Sequence, residues 1–259
     1  EDRVTIATDA NLILSGTGAA TVKVSRNVTV NSGGSLETEN GNLTVEANQQ
    51  MTGTSGSFRG VNVQNGAVVR ASGSGAVTVL GRGGSGSSGS NYGVHVNGSG
   101  SQITSNGGAV RVEGTGGSNP GGGGNIGVYV DFGGAITSTG TGSGATVTVK
   151  GFGGNTNPFG SYGVHVNGIG SQIASNGGAV LVEGTGGGTS GGGHSGVYVN
   201  FGGAIASTGT GPDATVTVKG FGGNTSSSGG GNHGVHVSSS GARITSNGGA
   251  VRVEGTGGG

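Results

Sequence analysis

Cysteine is absent from this sequence, and charged and aromatic residues are scarce. Without cysteine the chain has no disulfide framework, no thiolate ligands for a metal and no cysteine nucleophile. Charged residues make up 8% of the chain and the net charge is zero. No excess of basic groups is therefore available to hold a phosphate backbone, and nucleic acid is not an expected partner.

Long apolar runs are also missing, since none approaches the ~20 residues that span a bilayer. The chain opens with "EDRVTIATDA", which contains neither a methionine nor an apolar leader. Either a leader has been removed or the chain is a fragment, and of the two we favour a processed, exported chain. The expected location is extracellular, either secreted or at the cell surface.

Glycine is the residue in excess, with 69 copies in 259 residues, and it marks an internal repeat. The phrase Gly-Val-x-Val returns every 33–38 residues, beginning at Gly60, Gly93, Gly127, Gly163, Gly196 and Gly234. From Gly93 onward, units that begin "GVHV" alternate with units that begin "GVYV", so the genetic repeat is a double unit. We divide the chain into six glycine-loop units at 60–259 and an N-terminal region at 1–59.

The N-terminal region repeats the same order of apolar positions without the glycine-rich stretch. One such unit is "NVTVNSGGSLETENGNLTVEAN". A weaker unit before it uses the residues Val4, Ile6, Ile13, Val22 and Val24. Together with the six glycine-loop units, these make about eight units in all.

Each unit is predicted to be one coil of a parallel β-solenoid. The two valines of Val-x-Val face one side and the middle residue faces the other, and such short runs between glycines are too short for helices. Three short strands per coil would send about five branched side chains inward, in one coil Val94, Val96, Ile103, Val110 and Val112. The expected fold class is all-β, with about eight coils, three short strands per coil and a glycine-rich loop per coil. Because these loops have nearly constant length, we expect them to stack into a second ordered layer.

Two columns of outward-facing residues are predicted along the stacked coils. The first, the charge ladder, alternates in sign and consists of Glu113, Lys150, Glu183, Lys219 and Glu254. The second, the ring ladder, consists of His95, Tyr129, His165, Tyr198 and His236. Alternating charges favour a single register between neighbouring coils, and the rings can stack outside the core.

The histidines raise the question of a metal site, because imidazole is a common metal ligand. In the ring ladder they recur only at every second coil, roughly 9.6 Å apart at strand spacing, and no cysteine or carboxylate accompanies them in the pattern. We therefore interpret the ring ladder as structural and expect no metal and no cofactor. His194 and His233 lie in glycine-rich loops and are expected to be solvated.

Few residues are available for catalysis. Polysaccharide-cleaving solenoids work with clustered acids, whereas this chain has four aspartates, Asp2, Asp9, Asp131 and Asp213. Asn200 stands in place of Asp131 in the equivalent coil. We therefore predict that the protein is not an enzyme and has no catalytic residues.

The segments "NVTVNSGGSLETENGNLTVEAN" and "GVYVNFGGAIASTGTG" resemble the repeats of exported bacterial β-helix proteins of the filamentous haemagglutinin and autotransporter-adhesin type. The resemblance covers nearly the whole chain. It implies a right-handed parallel β-helix at the cell surface or in the extracellular matrix, used for adhesion or as a structural fibre. No functional residue is carried over, because these families have no fixed catalytic motif.

The expected function is therefore that of an extracellular structural or adhesive fibre. Its solenoids would associate head to tail into filaments, with surface glycans or other cells as further partners. One alternative is an ice- or carbohydrate-surface binder, since regularly spaced threonines such as Thr148 and Thr217 can match a lattice, although Arg111, Leu181 and Arg252 interrupt them. The other alternative is a β-helical polysaccharide-degrading enzyme.

Overall fold

The computed structural model describes residues 2–118, 124–154, 160–188, 191–223 and 230–259, and these residues form an all-β solenoid without helices. Twenty-four strands, numbered β1 to β24 along the chain, form three parallel sheets of eight strands. Each strand pairs with the strand three before it and the strand three after it, except that the strands of the first and last coils have one neighbour each. Three consecutive strands therefore make one coil, and the described residues form eight coils. The predicted parallel β-solenoid is confirmed.

The three sheets run the length of the solenoid. Sheet A consists of β1 (Arg3–Ile6), β4 (Asn27–Val30), β7 (Val61–Gln64), β10 (Val94–Asn97), β13 (Val128–Asp131), β16 (Val164–Asn167), β19 (Val197–Asn200) and β22 (Val235–Ser238). Sheet B consists of β2 (Asn11–Leu14), β5 (Ser35–Thr38), β8 (Val68–Ala71), β11 (Gln102–Ser105), β14 (Ala135–Ser138), β17 (Gln172–Ser175), β20 (Ala204–Ser207) and β23 (Arg243–Ser246). Sheet C consists of β3 (Ala20–Val24), β6 (Leu43–Ala47), β9 (Val77–Arg82), β12 (Val110–Thr115), β15 (Val147–Phe152), β18 (Val180–Thr185), β21 (Val216–Phe221) and β24 (Val251–Thr256).

The core is a single column of branched aliphatic side chains between the three sheets. The predicted set of the fourth coil is at most 1% exposed, and it consists of Val94, Val96, Ile103, Val110 and Val112. Equivalent residues pair directly across neighbouring strands, so valine lies on valine and isoleucine on isoleucine. Each buried side chain contributes at most about 1.5–3 kcal/mol to folding, and repetition along the axis makes this thin core sufficient.

The first coil differs from the prediction in its second strand. Leu12 pairs with the buried Leu36, whereas Ile13 pairs with Glu37 and is 58% exposed. Leu12, and not Ile13, therefore occupies the inward position. The sequence "NLIL" has three consecutive apolar residues, so period-two alternation does not reveal which of them faces inward.

A column of serines also points into the solenoid, on sheet B beside the isoleucines. It consists of Ser105, Ser138, Ser175, Ser207 and Ser246. Each hydroxyl donates a hydrogen bond to a carbonyl in the turn between sheets B and C of the preceding coil, such as Ser105 to Gly75 at 2.8 Å and Ser138 to Gly108 at 2.7 Å. Because buried hydroxyls need partners, this column ties successive turns together.

The glycine-rich loops leave sheet C and return to sheet A, and their stems are ordered. The outgoing stem of each loop donates a backbone hydrogen bond to the incoming stem of the loop before it, as from Gly117 to Asn91 and from Gly154 to Asn125, at 2.7–2.8 Å. The stems therefore form the second layer that the constant loop length predicts. The loop tips at 119–123, 155–159, 189–190 and 224–229 lie outside the described residues.

The stems pack so closely that only glycine fits at several positions. A Cβ atom built on Gly154 would clash with the carbonyl oxygen of Gly117 and would lie 2.8 Å from the Cβ of Asn125. The same holds for its equivalents in the neighbouring coils, such as Gly187, whose Cβ would clash with the carbonyl oxygen of Gly154. The high glycine content thus serves close backbone packing at these stems.

We expect Gly154→Ala to lower the free energy of unfolding by about 1–3 kcal/mol, because the added methyl group overpacks backbone that cannot move away. Gly142→Ala is the matched control, since no atom lies within 4 Å of its Cβ position and the variant should be neutral or up to about 1 kcal/mol more stable. Urea unfolding of both variants checks this. Equal stability of the two variants would show that the stems are loosely packed.

Candidate functional site

The five residues of the ring ladder stack in one continuous column on the outer side of sheet A. Parallel pairing places His95 beside Tyr129, Tyr129 beside His165, and so on along the sheet. Successive ring centroids are 4.7–5.2 Å apart and successive planes are inclined by 9–18°. This is the geometry of stacked rings, and one strand spacing sets it.

A second set of rings from the incoming loop stems covers this column. The ring of Tyr92 meets His95 edge-on at 4.9 Å, and the ring of Tyr162 meets His165 edge-on at 4.8 Å. His95 and His165 are consequently only 3% and 8% exposed. The ring ladder therefore lies outside the central core but inside the layer formed by the loop stems.

A carboxylate accompanies the first histidine of the ladder, contrary to the prediction from the pattern. Asp131 is 3% exposed, and one of its oxygens lies 3.0 Å from Nε2 of His95 and accepts a hydrogen bond from Asn97 at 2.7 Å. The Nδ1 atom of His95 lies 3.1 Å from the amide oxygen of Asn62. Asp131 lies on β13, the neighbour of the His95 strand β10 in sheet A. The two residues are 36 apart in the sequence and meet only because the coils stack.

The surroundings of Asp131 keep it ionised. Burial alone would raise the pKa of this carboxyl group, but hydrogen bonds from His95, Asn97 and Tyr129 lower the pKa overall. Burial and the nearby Asp131 charge raise the pKa of Tyr129, so that phenol stays protonated and donates. The cluster joins three neighbouring strands of sheet A through the buried residues Asn62, His95 and Asp131, and these hydrogen bonds connect successive coils.

The equivalent site two coils further on is uncharged. Nε2 of His165 lies 3.1 Å from the amide oxygen of Asn200, which replaces the aspartate. Within the described part of the chain, Nδ1 of His165 has no hydrogen-bond partner. Burial lowers the pKa of His165 to about 4, so this imidazole is neutral at pH 7.

The stability of the protein should therefore fall as the pH drops from 6.5 toward 4. The unfolded chain binds a proton on this histidine near pH 6.5 and the folded chain only near pH 4, so the contribution is complete above pH 6.5 and is lost on acidification. By pH 4.5 the loss should reach about 2–3 kcal/mol. Urea unfolding between pH 7 and 4.5 should show a shallower pH dependence for His165→Gln than for the native chain, and identical slopes would contradict the assignment.

His194 is not solvated, contrary to the prediction for the loop histidines. It is fully buried in an incoming loop stem, where its Nδ1 accepts a hydrogen bond from the backbone N–H of Ser161 at 3.2 Å. Asn125 and Asn232 accept from the stems before them in the same way. His233 is exposed and packs on His236, with ring centroids 4.5 Å apart. The glycines around His194 suggested that it would be exposed to solvent. In the structure the stems pack so closely that its imidazole is buried between them.

The charge ladder lies along sheet C with its five residues in direct cross-strand register. Lys150 and Glu183 form an ion pair at 2.6 Å, and Lys219 and Glu254 form one at 3.9 Å. Glu113 pairs with Arg111 of its own strand at 2.7 Å. These side chains are partly exposed, so each pair contributes between about 0 and 1 kcal/mol.

Lys150→Glu should lower the free energy of unfolding by about 1 kcal/mol, because it places a third negative charge between Glu113 and Glu183. The loss should shrink in 1 M NaCl, where the screening length is about 3 Å. Lys150→Gln is the control, since it removes the attraction without adding repulsion and should show a smaller loss. Denaturation at low and high salt measures both, and a loss that salt does not relieve would mean that the three side chains do not interact.

Beside the charge ladder runs a further column that the pattern analysis missed. This Phe–Thr ladder consists of Thr115, Phe152, Thr185, Phe221 and Thr256, in direct cross-strand register on the outer side of sheet C. The two phenylalanines are 42% and 50% exposed. The signal was present in the repeated phrase "VTVKGFGG", because a residue two positions after an outward lysine also points outward while the strand continues.

Comparisons of the chain with protein-family models, with curated proteins and with solved structures found no match. Its class is therefore defined by the fold, a parallel β-solenoid with two alternating types of coil. In the part of the chain that the structure describes, no three histidine or acidic side chains converge in a way that could hold a metal ion. No helix among the described residues is long and apolar enough to cross a membrane.

Proposed function

We propose that this protein is a non-catalytic extracellular fibre protein, structural or adhesive, whose solenoids join end to end. The observation that supports this proposal is the common register of the eight described coils, in which the residues of the edge strands at one end match those at the other. The lower end face is the outer edge of β1, β2 and β3, and the upper end face is the outer edge of β22, β23 and β24. Each of these six strands has a single neighbour in its sheet within the described residues.

The charges of the two end faces continue the alternation of the charge ladder. Lys23 of β3 is 72% exposed at its side chain and occupies the charge-ladder position of the first coil, where it pairs with Glu46 at 3.1 Å. Glu254 of β24 occupies the same position in the eighth coil. A second copy stacked on the upper end face in the register of the solenoid would bring its Lys23 to Glu254.

Apolar groups of the two end faces also match in that register. Val251 and Val253 of β24 are 45% and 49% exposed and would meet Ala20 and Val22, the equivalent positions of β3. Ile244 of β23 would meet Leu12 by the same rule. The unpaired strand edges would gain backbone hydrogen bonds, and because the two faces differ, such a contact propagates into a filament.

The same register weakens the lattice-binding alternative. In the first three coils of sheet C this column consists of Thr21, Thr44 and Thr78. From the fourth coil onward an arginine or a leucine occupies every second position, as Thr148 lies between Arg111 and Leu181. A regular array of hydroxyls is therefore broken on this face. The enzymatic alternative gains no support from Asp131, because this carboxylate is only 3% exposed and is bound by His95 and Asn97.

Charge reversal tests the end-to-end contact. Glu254→Lys alone and Lys23→Glu alone should each weaken self-association by about tenfold, since each replaces an attraction at the junction by a repulsion. An equal mixture of the two variants should associate like the native protein, because each variant then meets a partner of opposite charge at both ends. Light scattering over a range of concentrations and negative-stain microscopy measure assembly.

Asp213→Lys, which changes a charge in an exposed turn between β20 and β21, is the control and should leave assembly unchanged. A native protein that stays monomeric at every concentration, with no filaments by microscopy, would overturn the proposal. A mixture that associates no better than the single variants would show that Lys23 and Glu254 do not meet.

A further inference from the structure

Most of the phenylalanines that the structure describes lie on its surface. The core is built from valine, isoleucine, leucine and alanine. Four of the six phenylalanines are 42–69% exposed, namely Phe132, Phe152, Phe201 and Phe221. Exposed apolar side chains mark interaction sites when they are grouped and not when they are scattered, so the arrangement of these rings decides what they can bind.

Phe152 and Phe221 are held with regular spacing. They occupy the same position of sheet C two strands apart, with Thr185 directly between them. Parallel strands are about 4.8 Å apart, so the two rings repeat at roughly 9.6 Å along the solenoid axis. The sheet fixes this distance, and no loop movement is needed to align the rings.

Polar groups beside the rings are paired and carry little net charge. Two residues before each phenylalanine stands a lysine, Lys150 or Lys219, and each lysine forms an ion pair with a glutamate of the next coil. An anionic polymer would meet these glutamates, and a cationic polymer would meet the lysines. The face thus complements an uncharged ligand that can donate and accept hydrogen bonds.

We infer that this face of sheet C, formed by the Phe–Thr ladder and the charge ladder, binds an extended uncharged polysaccharide that lies along the solenoid axis. The apolar faces of two sugar rings would rest on Phe152 and Phe221. Sugar hydroxyls between them would bind the lysine, glutamate and threonine side chains. In an extended β-linked glycan every second sugar presents the same face, which matches rings that recur at every second coil.

The area of the face favours a narrow polymer over a protein. Two phenylalanine rings offer at most about 150–250 Å² each, far less than the ~800 Å² per partner of a standard protein interface. A polysaccharide chain needs only a strip of this width, and repeated contacts along the strip add through their effective concentration. This inference rests on the adhesive role proposed above but not on end-to-end assembly, because Phe152 and Phe221 lie on β15 and β21, which belong to neither end face.

Sedimentation with insoluble cellulose and chitin, both uncharged, tests the inference, and polygalacturonate and hyaluronate beads serve as anionic probes. The native chain should bind at least one uncharged polysaccharide with little dependence on salt, and should bind the anionic ones more weakly. Phe152→Ala and Phe221→Ala should each weaken that binding by about threefold to tenfold, and the double variant by more than either. Phe152→Trp should retain it.

The matched control is the double variant Phe132→Ala/Phe201→Ala, which removes two rings that are even more exposed, from the corner between sheets A and B. It should bind like the native chain, and thermal unfolding should show that all variants remain folded. The inference is overturned if the native chain binds neither uncharged polysaccharide, or if the control loses binding as much as the Phe152/Phe221 double variant does. It is also overturned if the Phe152/Phe221 variant loses self-association instead, which would make the face an interface between copies.

Binding and assembly can fail separately. The Lys23→Glu variant, which should also assemble poorly, changes a residue of the first coil that belongs to neither ladder of the face, so it should still sediment with the polysaccharide. Loss of filaments with retained binding would overturn only the end-to-end contact. Filaments that do not bind the polysaccharide would overturn only the proposal that this face of sheet C binds a polysaccharide.

Discussion

Every feature of this molecule depends on the in-register hydrogen bonding of each coil to the next. Three strands of a coil bond to the three equivalent strands above and below, and no strand pairs within its own coil. Each side chain is therefore held about one strand spacing from its counterparts in the neighbouring coils. A residue type is tolerated at a position only if it can lie beside the residue that occupies the same position one coil away.

This constraint explains why the coils come in two types. A column of identical charges would repel itself at strand spacing, whereas alternation of glutamate and lysine makes each neighbour attractive. Histidine and tyrosine alternate in the ring ladder, and threonine and phenylalanine alternate beside the charges. In each of the three columns, two residues of the same type are always separated by a residue of the other type. A double repeat is the smallest unit that satisfies all three columns at once.

In the loop stems, glycine is required for the same reason, because neighbouring coils lie one strand spacing apart. Two layers of backbone, the outgoing and incoming stems, pack directly against one another, and a methyl group at Gly154 would already clash. The few side chains admitted there, such as that of His194, fill the remaining space and accept hydrogen bonds from the backbone of the neighbouring stem. The stems thus extend the solenoid with a layer held by backbone bonds rather than by apolar burial.

The proposed polysaccharide-binding face of sheet C exists because the core is narrow. One coil holds about five branched side chains, so a phenylalanine ring finds its place outside. Stacking then repeats that ring at every second coil with a spacing that the sheet determines. A ligand with a repeating structure of its own, such as a polysaccharide, is the natural partner for such a surface, because each repeat of the ligand meets an equivalent group.

The sequence by itself determined the solenoid, its coils, its inward valines and isoleucines, and the residues of the two ladders, because period-two strands and a repeat of 33–38 residues leave one way to bury the apolar side. It did not determine the inward residue of "NLIL", where alternation is lost. The approach of Asp131 to His95, the burial of His194 and the covering of the ring ladder were decided only by the tertiary structure. Each of these depends on distances between coils or between loop stems, which the order of residues along one strand does not encode.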